Sequence, residues 1–131
     1  MMGPDTVDAC IELASALSPV LVDITGGAPE LNPDLPRLIA GLRDAVPQLR
    51  IRTNLTALRS PAHGRLIDLF AEQKVRVLAS LPGATAPVVD SQRGVGAFAE
   101  SIEALRSLNG RGYGNGDGLL LDIAYNPPLG E

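Results

Sequence analysis

Two hydrophobic periods alternate along this chain, and that alternation constrains its fold more than any other feature. Val7, Cys10, Ile11, Ala14 and Leu17 recur at helical spacing, with Asp5 or Thr6 placed to cap them and Pro19 to end them. A short β-branched run over residues 20–25 reads as a strand. Asp34 is placed to cap a second helix carrying Leu35, Leu38, Ile39 and Leu42, with Pro36 tolerated in its first turn. A strand over 49–53 follows, then a helix with Leu66, Ile67, Leu69 and Phe70 on its apolar face, then a strand over 75–81. Residues 82–96, rich in proline and glycine, read as a long loop. Phe98, Ile102, Leu105 and Leu108 mark a fourth helix, a glycine-rich stretch covers 110–118, and residues 119–125 form a last strand closed by Asn126-Pro127-Pro128.

Four strands alternating with four helices predict an α/β fold with a parallel sheet and right-handed crossovers. With 131 residues the chain is long enough for one domain. Two architectures fit: a small doubly wound sheet, or half of a TIM (β/α)8 barrel. Side-chain parity chooses between them. Asp23, Arg50, Arg52, Arg76 and Asp122 fall on one face, whereas Val22, Ile24, Ile51, Val77, Ala79, Leu121 and Ile123 fall on the other. A doubly wound sheet buries both faces under helices and tolerates such charges poorly; a barrel lumen accommodates them. The half barrel is therefore the expected fold. The alternative account of these charges is that they merely pair with one another.

Composition excludes several classes of function. A net charge of -4, with ten arginines and Lys74 as the single lysine, argues against a nucleic-acid binder. An aromatic content of 3% leaves few platforms for base stacking. No run approaches the roughly 18 apolar residues of a membrane span, and the amino terminus does not read as a signal peptide, so the cytoplasm is the expected location. The sequence holds one cysteine, Cys10, and one histidine, His63. Neither an internal disulfide nor an all-cysteine metal or cluster site can be built from that set. Cys10 is expected to pack as a small hydrophobe, and His63 to be exposed and without a role.

The chemistry gathers where the strands end. After the first comes Asp23-Ile24-Thr25-Gly26-Gly27-Ala28-Pro29-Glu30, a paired-glycine turn that lets backbone approach a ligand closely. After the second comes Thr53-Asn54-Leu55-Thr56, after the third Ser80-Leu81-Pro82-Gly83, and after the fourth Asn126-Pro127. Asp90 and Arg93 precede Gly94, Gly96 and Phe98, so that an arginine leads into a helix amino terminus, a natural place for a ligand carboxylate. With Leu31-Asn32-Pro33, residues 101–105, Leu108-Asn109, Gly112-Tyr113-Gly114 and Tyr125-Asn126-Pro127, this ordered series resembles the core of radical S-adenosylmethionine (radical SAM) enzymes. The resemblance extends over nearly the whole chain and is closest to the Fe-S oxidoreductases related to the arsenosugar-biosynthesis radical SAM protein.

The resemblance implies roles. Gly26, Gly27 and Glu30 lie where the family meets the amino group of the methionine moiety. Thr53, Asn54 and Ser80 match positions lining the cofactor pocket, Arg93 matches the arginine that pairs with the methionine carboxylate, and Asn126 lies toward the adenosine end. In such enzymes a 4Fe-4S cluster donates the electron that cleaves the sulfonium. This chain departs from the pattern at that point: the C-x-x-x-C-x-x-C cluster motif and the strand before it are absent, and Thr53 and Gly83 stand where relatives commonly carry cysteine. The expectation is a truncated, central fragment, residues 1–131 as one domain, with no catalytic or metal-ligating residue of its own. Such a fragment is catalytically inactive alone and retains at most S-adenosylmethionine affinity. A self-associating structural module is the alternative. Uncovered strand edges predict a homodimer, and a separate chain bearing the cluster half is the other partner the resemblance implies.

Overall fold

A computed structural model describes residues 3–26, 29–59, 64–81, 83, 85–116 and 118–125. Gly27, Pro82, His63 and Asn126, all singled out in the sequence, lie outside the described residues. The order is α1 (Pro4–Leu17), β1 (Leu21–Ile24), a 3-10 turn (Pro29–Leu31), α2 (Leu35–Ala45), β2 (Gln48–Thr53), a second 3-10 turn (Thr56–Arg59) and α3 (Gly64–Glu72). Then come β3 (Arg76–Leu81), α4 (Ala86–Arg93), α5 (Ala97–Gly110) and β4 (Leu121–Tyr125). No helix among the described residues is long and apolar enough to cross a membrane.

The four strands pair in sequence order, β1-β2-β3-β4, and every pair is parallel. An order without reversal winds in one direction, so right-handed crossovers set all helices on one face. The doubly wound alternative needs a reversal of strand order and is thereby excluded. The result is a four-strand parallel α/β unit of partial TIM-barrel type.

Register explains the division of faces. Val22 pairs beside Leu49 and Ile24 beside Ile51, while Ile51 and Thr53 sit beside Val77 and Ala79. Ile24, Leu49, Ile51, Val77 and Ala79 are buried with Leu38, Ile39 and Leu42 of α2 and Phe70 of α3. Burying each such side chain stabilises by about 1.5–3 kcal/mol relative to leaving it exposed. At Gly41 a Cβ would lie 2.3 Å from Cδ1 of Ile11, so glycine lets α1 and α2 approach closely. Tyr113 is fully buried and donates its hydroxyl to the Val75 carbonyl at 2.6 Å, fixing the glycine-rich turn against the base of β3. Burial pushes that phenol well above its ordinary pKa.

Two elements differ from the sequence reading. Residues 86–93 form a helix where a long loop is expected, so the described chain has five α-helices instead of four. Pro87 in the first turn does not oppose a helix, because the amide it lacks has no intrahelical partner there. The buried face of α5 also shifts by one position. Ala97, Ser101, Ala104 and Leu108 are buried, whereas Phe98, Ile102 and Leu105 are half-buried. Small residues allow the close packing of this helix, and small residues do not announce a buried face.

Candidate functional site

The carboxyl ends of the strands and the end of α4 converge on a cleft of about 490 Å3, within the range of small-molecule sites. Thr25 and Gly26 come from the end of β1, Thr53 and Asn54 from β2, Ser80 from β3, and Arg93 from α4. Arg52, Leu78 and Ala124 line its lumen side. Gly26 holds φ of +150°, and a Cβ there would meet nothing within 4 Å. Glycine is thus used for its backbone conformation and leaves open space at the rim.

Arg93 ties the rim together. Its Nη1 donates to the Ser80 carbonyl at 2.8 Å and to the Asn54 carbonyl at 3.1 Å, and its Nη2 donates to the Ser80 hydroxyl at 3.1 Å. A guanidinium has five N–H donors; these three bonds leave two without a partner among the described residues. No carboxylate pairs with it in those bonds, and desolvation lowers its pKa. The Ser80 hydroxyl accepts from Arg93 and so keeps its own proton to donate.

Arg93 reaches the rim differently from the sequence expectation. It is the last residue of α4, and its guanidinium returns to the ends of β2 and β3. The α5 amino terminus is met instead by Asp90, whose Oδ1 accepts from the Phe98 amide at 2.9 Å. Gly96, the residue before α5, has no side chain to cap it, so the cap comes from the neighbouring helix.

At the β2 end the Thr53 hydroxyl accepts from the Leu55 amide at 3.0 Å, and Leu55 takes φ of +76° while fully buried. This tight turn presents the Asn54 carbonyl to Arg93. A left-handed leucine is costly, and nothing in the sequence signals it. Asn54 uses its side-chain oxygen to accept from Thr56 at 3.2 Å.

Of the sequence-predicted residues, Gly26, Asn54, Ser80 and Arg93 meet in the cleft. Gly27 and Asn126 lie outside the described residues. Glu30 lies apart from the cleft's described lining: it is 3% exposed in the 3-10 turn after β1, and neither carboxylate oxygen has a hydrogen-bond partner among the described residues. Below the rim the lumen charges pair. Arg50 grips both oxygens of Asp23 at 3.1 and 2.9 Å, Arg52 Nε reaches Asp23 at 3.0 Å, and Arg76 meets Asp122 at 2.6 Å. The Arg50 contact holds the Asp23 carboxyl below the usual carboxylate range, and Asp23 raises Arg50 in turn.

No family model matches the chain. Over 92 residues, 70% of its length, it is 35% identical to the mycofactocin maturase MftC of Mycobacterium ulcerans (strain Agy99). The similarity supports a radical SAM origin. It supports that superfamily and not the arsenosugar-biosynthesis branch to which the sequence motifs point. The matched segment covers 24% of the relative's length.

The superfamily implies a 4Fe-4S cluster with S-adenosylmethionine. Such clusters are held by several cysteine thiolates. The sequence supplies one, half-buried on α1, and the described residues contain no group of three His, Cys, Asp or Glu able to hold a metal ion. The donor set of this chain does not fit the cluster.

Proposed function

We propose that this chain is a half-barrel unit of radical SAM descent that keeps an S-adenosylmethionine-type binding cleft and performs no redox chemistry on its own. The arrangement of Arg93 carries this reading. A desolvated guanidinium with two donors unpartnered among the described residues, anchored on the carboxyl ends of two parallel strands, suits an α-amino acid carboxylate. The open backbone at Gly26 suits the adjoining amino group, and the Ser80 hydroxyl and Thr25 suit a polar ligand edge. The cleft residues supply contacts to a ligand and no cluster thiolates, so binding is the activity proposed for this unit.

Calorimetric titration of the full chain with S-adenosylmethionine tests this. One site is expected, weakened at least tenfold, about 1.4 kcal/mol, by Arg93→Gln and less by Arg93→Lys. An absence of heat, or equal affinity in a folded Arg93→Gln variant, would sink the proposal.

A second reading, a self-associating module, is favoured by a separate observation. Leu13, Leu17 and Val20 beside β1, and Leu120 just before β4 with Ile123 and Tyr125 on it, are all at least 46% exposed. Uncovered apolar side chains therefore lie beside one outer strand, β1, and on the other, β4.

A further inference from the structure

The lumen charges do not balance. Four guanidiniums face the cleft or its floor, from Arg50, Arg52, Arg76 and Arg93, against the two carboxylates Asp23 and Asp122. Arg50 takes both oxygens of Asp23, and Arg76 takes Asp122. Arg52 reaches Asp23 through Nε alone, at an oxygen that Arg50 already uses. Among the described residues nothing accepts from its terminal Nη groups. Arg93 bonds neutral acceptors. Two cations are thus in surplus, and both line the same cleft, whose described lining contains no carboxylate. In a chain of net charge -4 this is a local reversal of sign.

We propose that Arg52 is the second arm of an anion receptor: beside the group held at Arg93, the cleft takes a co-substrate bearing a carboxylate or phosphate. The inference deepens the reading above and rests on it for what occupies Arg93. Its chemistry is that of the guanidinium fork, whose parallel N–H donors match the oxygens of an oxyanion. Asp23 fixes one edge of the Arg52 fork and leaves the other half in the cleft, where the side chain is 51% exposed. An arm already held at one end loses less freedom when it binds.

The test is a chemical-shift titration of the full chain, saturated with S-adenosylmethionine, using inorganic phosphate in one arm and acetate in the other at constant ionic strength. Saturable shifts are expected at the amides of Thr53 and Asn54, and the tighter arm names the class of anion. Arg52→Gln should weaken that binding at least fivefold, and Arg52→Lys, which keeps the charge but loses the fork, should weaken it to a smaller extent. Unchanged affinity in Arg52→Gln, or shifts reproduced by chloride alone, would overturn the assignment. A chain that responds to phosphate or acetate through Arg52 but shows no S-adenosylmethionine binding would end the cofactor reading and leave Arg52 assigned.

Discussion

Glu30 occupies a single 3-10 turn with 3% of its surface exposed, and neither carboxylate oxygen finds a partner among the described residues. Leaving a buried polar group unsatisfied costs about 1–3 kcal/mol, and more for a charged one. Glu30→Leu, which removes both oxygens at similar volume, should raise the unfolding free energy by about 1–3 kcal/mol, read as a higher urea midpoint at unchanged slope. The same variant should bind S-adenosylmethionine more weakly if the carboxylate meets the ligand's ammonium group. A lower midpoint would show that Glu30 is satisfied in the native state. Arg93 is the opposite case, a desolvated cation whose donors are shared between structure and cleft. Its substitution is therefore expected to cost stability as well as affinity.

At the scale of elements, the sheet was legible because period-two alternation is clear in β2 and over most of β3. The charged set Asp23, Arg52, Arg76 and Asp122 and the buried set Ile24, Ile51, Val77 and Ala79 fall on opposite faces as parity requires. Parity also placed Asn54 and Ser80 on the cleft side. It could not place α4: an eight-residue helix bracketed by proline and glycine presents one buried residue, Val89, and one such residue carries no period. Leu55 was illegible for a different reason, since its left-handed backbone is imposed by the Thr53 hydroxyl and the tertiary packing around it. The β1–β2 pairing yields a pH prediction. Asp23 has a folded pKa below its unfolded value, so its ion pairs stabilise the fold above about pH 4, the ordinary Asp value, and this stability is lost as pH falls through the lowered folded pKa. Asp23→Asn should therefore lower the denaturation midpoint at pH 7, and the gap from the unmodified chain should shrink toward pH 2. A gap that stays constant across that range would remove Asp23 from the acid response.

For the molecule as a whole, what remains open is the sheet. A parallel sheet with order β1-β2-β3-β4 has β1 at one edge and β4 at the other, each presenting unpaired backbone groups. The helix-side residues of β4, Ile123 at 46% and Tyr125 at 52% exposed, have no helix over them among the described residues. Beside β1, α1 leaves Leu13 and Leu17 exposed, and an apolar cleft of about 320 Å3 runs between it, β1 and α2. These two deficits complement each other. If β4 of one copy pairs parallel to β1 of a second, the second copy's α1 covers Ile123 and Tyr125, and the strand order continues unbroken. Applied twice about a two-fold axis, the same contact closes eight strands into a ring, the number at which parallel β/α units form a barrel. Each buried apolar side chain contributes up to about 1.5–3 kcal/mol, against an association cost of about 4–15 kcal/mol, so several such side chains at both contacts are enough to offset it. Light scattering over a concentration series should therefore give twice the single-chain mass, and Leu17→Glu combined with Ile123→Glu should return the single-chain mass with the helical spectrum intact. A single-chain mass for the unmodified protein at every concentration would show that the edges stay open.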